Sequence, residues 1–294
     1  MKILVTYKIP FYDEVTEPLK ESVTLGKLSD LDETFDGILC LLTDKITREV
    51  LDKGKNLKII ANYAVGFDNI DLEACKLRNI MVTNTPCDEV NEAVAEFTWS
   101  LILALARQLE PAANFAKNVG YRGWEPDIFV GTDLKGKTLG VIGSGRIGSL
   151  VASKGDAFQM KVLTHSRSTG TNLQDIIVQS DIVSLHVPLT SETHHMINSK
   201  TVFKHGAYLI NTARGPVVDE SDLLQMLKDG KLAGAALDVW ENEPYPRPEL
   251  VEMPNVILTP HIASATKSAR MAMGKTAVAN LIAIGLGQTP PNLV

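Results

Sequence analysis

Arg214, Glu243 and His261 lie 29 and 18 residues apart in a chain of 294 residues, each just beyond an apolar burst of strand length. An arginine holds a carboxylate through paired N–H groups. A protonated imidazole can deliver a proton to a carbonyl oxygen, and a carboxylate beside it orients the ring and favours its charged form. Together the three suit reduction of an oxoacid carbonyl. Taken singly, His261 reads as a structural histidine; the arginine and glutamate at this spacing make it a candidate proton donor. The segments NTARG, DVWENEP and LTPHIASAT that carry these residues stand at the C-terminal ends of predicted strands, where open α/β sheets bind ligands.

Positioning them requires a scaffold, and apolar bursts alternate with helical patterns along the whole chain, as expected of parallel sheets joined by crossover helices. The first set of bursts is ILVT (3–6), GILCLL (37–42), LKIIANY (57–63) and IMVTN (80–84). The second is TLGVIG (138–143), KVLTHS (161–166), DIVSLHV (181–187), AYLINTA (207–213), AGAALDV (233–239) and NVILTP (255–260). Between the sets, from about Asp88 to about Asn118, there is no Gly and Pro111 is the only Pro. One long bridging helix is predicted there, ended by Gly120 and Gly123. A second helix is predicted over about Ala265 to Ile284, stopped by Gly285 and Gly287 and returning to the first domain. The expected fold is α/β, with two doubly wound parallel-sheet domains: residues 1–98 with 273–294, and 99–272.

Composition bounds the function. Hydrophobic residues at 45% and charged residues at 22% mark a folded globular chain and exclude disordered or collagen-like classes. A formal net charge of −6 gives non-specific nucleic-acid binding no support. The longest apolar stretch, Phe97–Ala106, is far short of the roughly 20 residues of a membrane span, and the N-terminus lacks the apolar centre of a secretory signal. Cys40, Cys75 and Cys87 fit neither zinc nor disulfide spacing. A soluble, cytoplasmic protein with reduced thiols, no metal, and no nucleic-acid or membrane partner is expected.

Gly143, Gly145 and Gly148 form G-x-G-x-x-G after a predicted strand and before a helical pattern, the context that gives this motif meaning. The first glycine serves the turn, the second lets the backbone approach a pyrophosphate, and the third lets helix and strand pack closely; N–H groups at the helix start attract the anion. Dinucleotide binding follows. An NAD site commonly has Asp or Glu about 20 residues on, but here Ser166, Arg167 and Ser168 end the second strand. A carboxylate about 4 Å from a 2′-phosphate would cost about 4 kcal/mol per unit charge at an effective dielectric of 20. Its absence, and the guanidinium fork of Arg167, favour NADP(H), with NAD(H) as the alternative. His194 and His195 are neighbours in SETHHMIN; neighbours on a helix do not face one partner, so both are expected at the surface rather than on a metal. His186 is expected to line or underlie the adenine pocket.

LHVPLTSET (185–193), INTARGPVVDE (210–220), DVWENEP (238–244) and TPHI (259–262), together with the glycine motif, resemble the D-isomer-specific 2-hydroxyacid dehydrogenase family over nearly the whole chain. The resemblance implies that Arg214 clamps the substrate carboxylate and carbonyl, that Glu243 partners His261, and that His261 moves the proton. Asp238 matches the residue that holds the nicotinamide amide. Within the cofactor motifs, Arg146, Ile147, Val187, Pro188, Thr193, Thr212 and Ala213 are implied contacts. NYAVGFDNIDL resembles a carboxylate-binding loop in which the N–H groups of Val65 and Gly66 receive the substrate, which implies a flavodoxin-like substrate domain, a Rossmann domain and a cleft between them. TYKIP, the Trp124 and Pro126 pair, the Ser-Arg after the second strand and HIASAT are similar to the glyoxylate and hydroxypyruvate reductase branch. Gln159 and Ala263 stand where Gly is common in the family, and Trp240, which could narrow the cleft, where Phe is common. The resemblance implies NADPH-dependent reduction of a small 2-oxoacid by a homodimer built on the long helix and its following loop. Another D-2-hydroxyacid such as D-lactate or D-glycerate, or a dinucleotide-sensing interaction protein of the same fold, remains the alternative. The sensing reading is disfavoured on the expectation that such relatives carry long tails beyond the last helix.

Overall fold

All ten apolar runs read as strands lie in parallel sheets, and most are buried on both faces, as helix-covered parallel strands must be. The computed structural model describes residues 1–167 and 170–294 and divides into two units, Met1–Val90 with Ala265–Val294, and Asn91–Ser264.

In the first unit β1 (Ile3–Val5), β2 (Val23–Leu25), β3 (Gly37–Leu41), β4 (Ile59–Tyr63) and β5 (Met81–Thr83) form a five-stranded sheet in the order β2-β1-β3-β4-β5. This is the flavodoxin-like order, with every pairing parallel. Sequence reading missed β2: its three residues sit at the sheet edge, half-buried to exposed, so no apolar burst marks it. Leu4, Ile38, Ile60 and Val82 pack with Leu51 and Ala74 from the helices α2 (Arg48–Lys53) and α3 (Leu72–Leu77), which follow α1 (Tyr12–Val15).

The predicted long helix is two. Helix α4 covers Asp88–Ala106 and α5 covers Leu109–Phe115, with Gln108 left-handed at φ 50° between them. Pro111 explains the break: its ring would collide with the carbonyl four residues back, at Arg107, and it cannot donate there.

The second unit holds β6 (Thr138–Ile142), α6 (Arg146–Ala157), β7 (Lys161–His165), α7 (Leu173–Gln179), β8 (Ile182–Leu185), β9 (Ala207–Asn211), α8 (Glu220–Lys228), β10 (Leu232–Leu237), α9 (Pro248–Val251) and β11 (Val256–Leu258). Its strand order is β11-β10-β9-β8-β6-β7. The chain leaves β6 for β7 on one side and returns to β8 on the other, so the glycine loop after β6 lies at a topological switch point, where such sheets bind ligands.

Both junctions between units fall eight residues before the expected 98/99 and 272/273. Packing sets them. Ala95, Trp99, Ile102 and Leu105 of α4 share a core with Leu139 and Val141 of β6. Helix α10 (Lys267–Gly285) belongs to the first unit from its first turn, where Arg270 O accepts from Tyr63 Oη at 2.7 Å, and one turn further on Gly274 faces Val15. No helix among the described residues is long and apolar enough to cross a membrane.

Gln159 shows why glycine is common at its position. It is left-handed at φ 55°, and Met160 N donates to Gly155 O at 3.2 Å while Gln159 N donates to Asp156 O at 2.9 Å, the paired bonds of a Schellman helix end. A side chain in that conformation costs roughly 1–2 kcal/mol, partly offset by glycine's greater unfolded entropy. Gln159→Gly should therefore raise the thermal midpoint, by about 2–4 °C per kcal/mol gained in a unit of this size. Calorimetry showing a lower midpoint would refute this account of the cap.

Candidate active site

The loop after β11 is built around a carboxylate on the neighbouring strand. Asp238, one residue beyond β10 and 1% exposed, accepts from Thr259 Oγ1 at 2.7 Å, Ile262 N at 2.9 Å and Ala263 N at 2.8 Å. Burial pushes its pKa up, against the lowering effect of these bonds. Within the loop they brace, His261 sits left-handed at φ 53°, its N–H donating to Asp238 O at 2.9 Å. Its ring Nδ1 lies 2.9 Å from Glu243 Oε2. An ionised carboxylate only accepts, so Nδ1 carries the proton and Nε2 is the atom left for chemistry. The second oxygen, Glu243 Oε1, accepts from Trp240 N at 3.4 Å. Trp240 itself is buried.

Arg214 follows β9 in a segment braced by buried Asn211, whose Nδ2 donates to Arg214 O at 2.9 Å and whose Oδ1 accepts from Ala213 N at 3.0 Å. Arg214 Nη1 donates to Ala213 O at 2.7 Å. The next residue brings this segment against the one bearing Glu243: a Cβ on Gly215 would lie 2.0 Å from both Trp240 C and Trp240 O. Only glycine allows that approach.

At the switch point, helix α6 begins at Gly145 with no side-chain cap, leaving its first N–H groups for an anion. A Cβ on Gly148 would sit 1.9 Å from Gly143 O, whereas one on Gly145 would meet no atom of the chain within 4 Å. Packing demands glycine at 148 but not at 145, which fits a ligand's phosphates approaching the backbone there; the residues suit a dinucleotide. Arg146 is exposed and Ile147 half-buried. Thr212 Oγ1 lies 3.0 Å from Thr98 Oγ1, and Ala213 is buried. Beyond β8, Val187 is half-buried and Pro188 exposed, and Thr193 Oγ1 donates to Pro188 O at 2.6 Å, bracing that turn. Arg167 Nη2 lies 2.5 Å from Glu192 Oε2. Ser168 lies outside the described residues.

In the first unit the loop after β4 has its carbonyls held. Ala64 O accepts from Thr85 N at 2.9 Å, Val65 O from Asn84 Nδ2 at 2.7 Å, and Gly66 O from Asn62 Nδ2 at 2.9 Å. In a trans peptide the N–H points opposite the preceding carbonyl. The N–H groups of Val65 and Gly66 therefore face away from Thr85 and Asn84. Sequence reading found this loop but not Asn84 or Thr85, which contact it from the next strand's end and share no motif with it.

Of His194 and His195, both expected at the surface, His194 is exposed and His195 is half-buried. Their segment is a turn, not a helix, with His195 left-handed at φ 49°. The two rings lie 4.0 Å apart, and half-buried His195 engages Glu241. Among the described residues no group of three or more His, Cys, Asp or Glu side chains is arranged to hold a metal.

Residues 99–263 match the family model described as D-isomer specific 2-hydroxyacid dehydrogenase, NAD binding domain. The chain belongs to that family. It is 41% identical to a glyoxylate reductase of Thermococcus litoralis, over 100% of this chain and 96% of that one. The TT0316 protein of Thermus thermophilus superposes with a TM-score of 0.94 at 39% identity, covering all of both chains. An NADPH-dependent glyoxylate/hydroxypyruvate reductase of Sinorhizobium meliloti, in complex with NADP and malonate, has a TM-score of 0.86 at 32% identity, covering 100% of this chain and 96% of that one. The protein is an NAD(P)-dependent oxidoreductase acting on CH–OH groups, and a nicotinamide dinucleotide is its cofactor.

His186 of this dehydrogenase follows β8 with Nε2 2.8 Å from Ser184 Oγ, and burial pulls its pKa down to about 4. The folded imidazole stays neutral where the unfolded one, near 6.5, charges. Stability from this residue is complete above pH 6.5 and is lost as pH falls from there toward 4, by about 2 kcal/mol at pH 5. Denaturation at pH 8 and pH 5 should show that loss in the wild type and a correspondingly smaller one in His186→Asn; equal losses would refute the assignment.

Proposed function

We propose that this dehydrogenase reduces glyoxylate, hydroxypyruvate or a closely similar small 2-oxoacid to the D-2-hydroxyacid, with NADPH preferred over NADH. The observation that carries the reading is the 2.9 Å contact of His261 Nδ1 with Glu243 Oε2, which leaves Nε2 to give its proton to the carbonyl oxygen. The bound reduced dinucleotide supplies the hydride to C2. Glu243 keeps Nδ1 protonated and stabilises the imidazolium before transfer. The Arg214 guanidinium holds carboxylate and carbonyl oxygens, and Asp238 fixes the loop from which His261 projects. In the first unit, the N–H groups of Val65 and Gly66 form a carboxylate-binding loop, supported by the direction that Thr85 and Asn84 impose on them.

The NADPH preference is supported by Ser166 and Arg167, where an acidic residue would repel a 2′-phosphate, and by the cofactor named for the Sinorhizobium meliloti relative. Two copies of the chain are proposed to pair through the exposed apolar side chains Leu109, Trp124 and Val130; such side chains, when contiguous, mark association surfaces.

Initial rates with NADPH and NADH against glyoxylate, hydroxypyruvate, pyruvate and phenylpyruvate test the reading. Small 2-oxoacids with NADPH should give the highest kcat/KM; a strong NADH preference would remove the role given to Ser166 and Arg167. Replacing His261 by Gln removes the proton donor and should slow turnover by 10²- to 10⁴-fold with NADPH still bound in a fluorescence titration. Undiminished turnover would refute the role of His261.

A further inference from the structure

Glu241 contributes nothing to the trio, yet three different groups hold it. His195 Nε2 donates to Glu241 Oε1 at 2.5 Å, and Glu241 N donates to Glu220 Oε1 at 2.7 Å. The backbone just before it is pressed on Gly215, where a Cβ would lie 2.0 Å from Trp240 C. Glu220 is 4% exposed, and burial pushes its pKa above its ordinary value; a carboxyl placed so deep is costly unless it is hydrogen-bonded. The histidine is fixed in turn. His195 N donates to Pro216 O at 2.8 Å, its Nδ1 lies 3.4 Å from Asp219 Oδ2, and Ile197 N donates to Val217 O at 3.1 Å. Asp219 Oδ1 accepts from Ser221 N at 3.0 Å and Asp222 N at 3.1 Å at the start of α8.

These contacts converge on one stretch of backbone, Trp240–Glu241, which also supplies the N–H that holds Glu243 Oε1. On its far side, Gly215 continues directly from Arg214. We propose that His195 and Glu220 are positioning residues, which grip Glu241 by its side chain and its backbone N–H and so set Glu243 against His261. The inference rests on the reading of Glu243 as the partner of His261. Sub-ångström control of that contact matters because a misplacement of about 1 Å, caused far from the chemistry, can cost about a hundredfold in rate.

The test is a double-mutant cycle on kcat, with enzyme concentration taken from the stoichiometry of an NADPH fluorescence titration so that loss of folded protein does not count as loss of rate. His195→Phe should lower kcat about tenfold or more with the KM for NADPH unchanged, and His195→Gln, which keeps an N–H donor, should recover most of it. Glu220→Gln, which keeps the acceptor for Glu241 N, should lie near the wild type, and Glu220→Met should fall with His195→Phe. On a Glu243→Gln background the His195→Phe change should cost less than about twofold, since residues acting through one group are non-additive. If the full factor persists on that background, His195 does not act through Glu243 and the proposal is overturned. If Glu243→Gln alone leaves kcat unchanged, the reading of Glu243 falls and takes this inference with it, a result distinct from the first.

Discussion

The geometry of the proposed proton donor, His261, depends on a carboxylate that takes no part in the proposed transfer. Asp238 is buried at the end of β10 with three donors from the β11 loop on its two oxygens. Removing a carboxylate from water is expensive, and its raised pKa registers that cost. The three bonds offset it, and they also hold His261 in a left-handed conformation that a non-glycine residue adopts only at roughly 1–2 kcal/mol. Strain of this kind persists where surrounding contacts over-determine the backbone. Loss of the Asp238 carboxylate would free the loop to relax, and the imidazole would lose the fixed direction that makes a 2.9 Å contact with Glu243 useful.

Backbone direction is also what the first unit supplies. Nothing about Val65 or Gly66 as residue types selects a carboxylate. Their N–H groups acquire a direction because the preceding carbonyls are held by Thr85 N and Asn84 Nδ2, and planar trans peptides transmit that choice to the other side of the chain. Asn62, fully buried, closes the same loop through Gly66 O while its amide lies within 3.5 Å of Cys40 Sγ. In the first unit these donors stand just past the neighbouring strand, Thr85 acting through its backbone and half-buried Asn84 through its side chain; in the second, buried Asp238 braces the loop that follows the strand beside it.

That distance explains what the amino-acid order reveals. Runs such as TLGVI and AYLIN announce buried parallel strands, because burial on both faces demands continuous apolar residues. The edge strand Val23–Leu25 carries no such demand and is silent. The glycine motif and the Arg, Glu and His segments are legible since each meets a local requirement. By contrast the contacts of Asn84, His195 and Glu220 join residues 19, 46 and 21 positions apart and exist only after folding, so no local pattern marks them. The two departures from family glycines separate in the same way. Ala263 keeps an ordinary negative φ and sits buried with its N–H on Asp238, whereas Gln159 occupies a left-handed helix end. Only the backbone tells them apart.

The contact of Arg167 with Glu192 bears on the proposed cofactor preference. At 2.5 Å it looks strong, but both side chains are about 70% exposed, and exposed ion pairs contribute only about 0–1 kcal/mol. In the proposed NADPH complex a 2′-phosphate would bring nearly two charges and paired oxygen acceptors to the same guanidinium, each charge-assisted bond contributing about 1.5–3 kcal/mol. On that proposal, exchange of the surface carboxylate for the phosphate would be favourable, the pair reducing the gain without cancelling it. Glu192 also gives Arg167 a partner when a dinucleotide lacking that phosphate is bound, so the discrimination expected between the two cofactors is a moderate ratio rather than an absolute one.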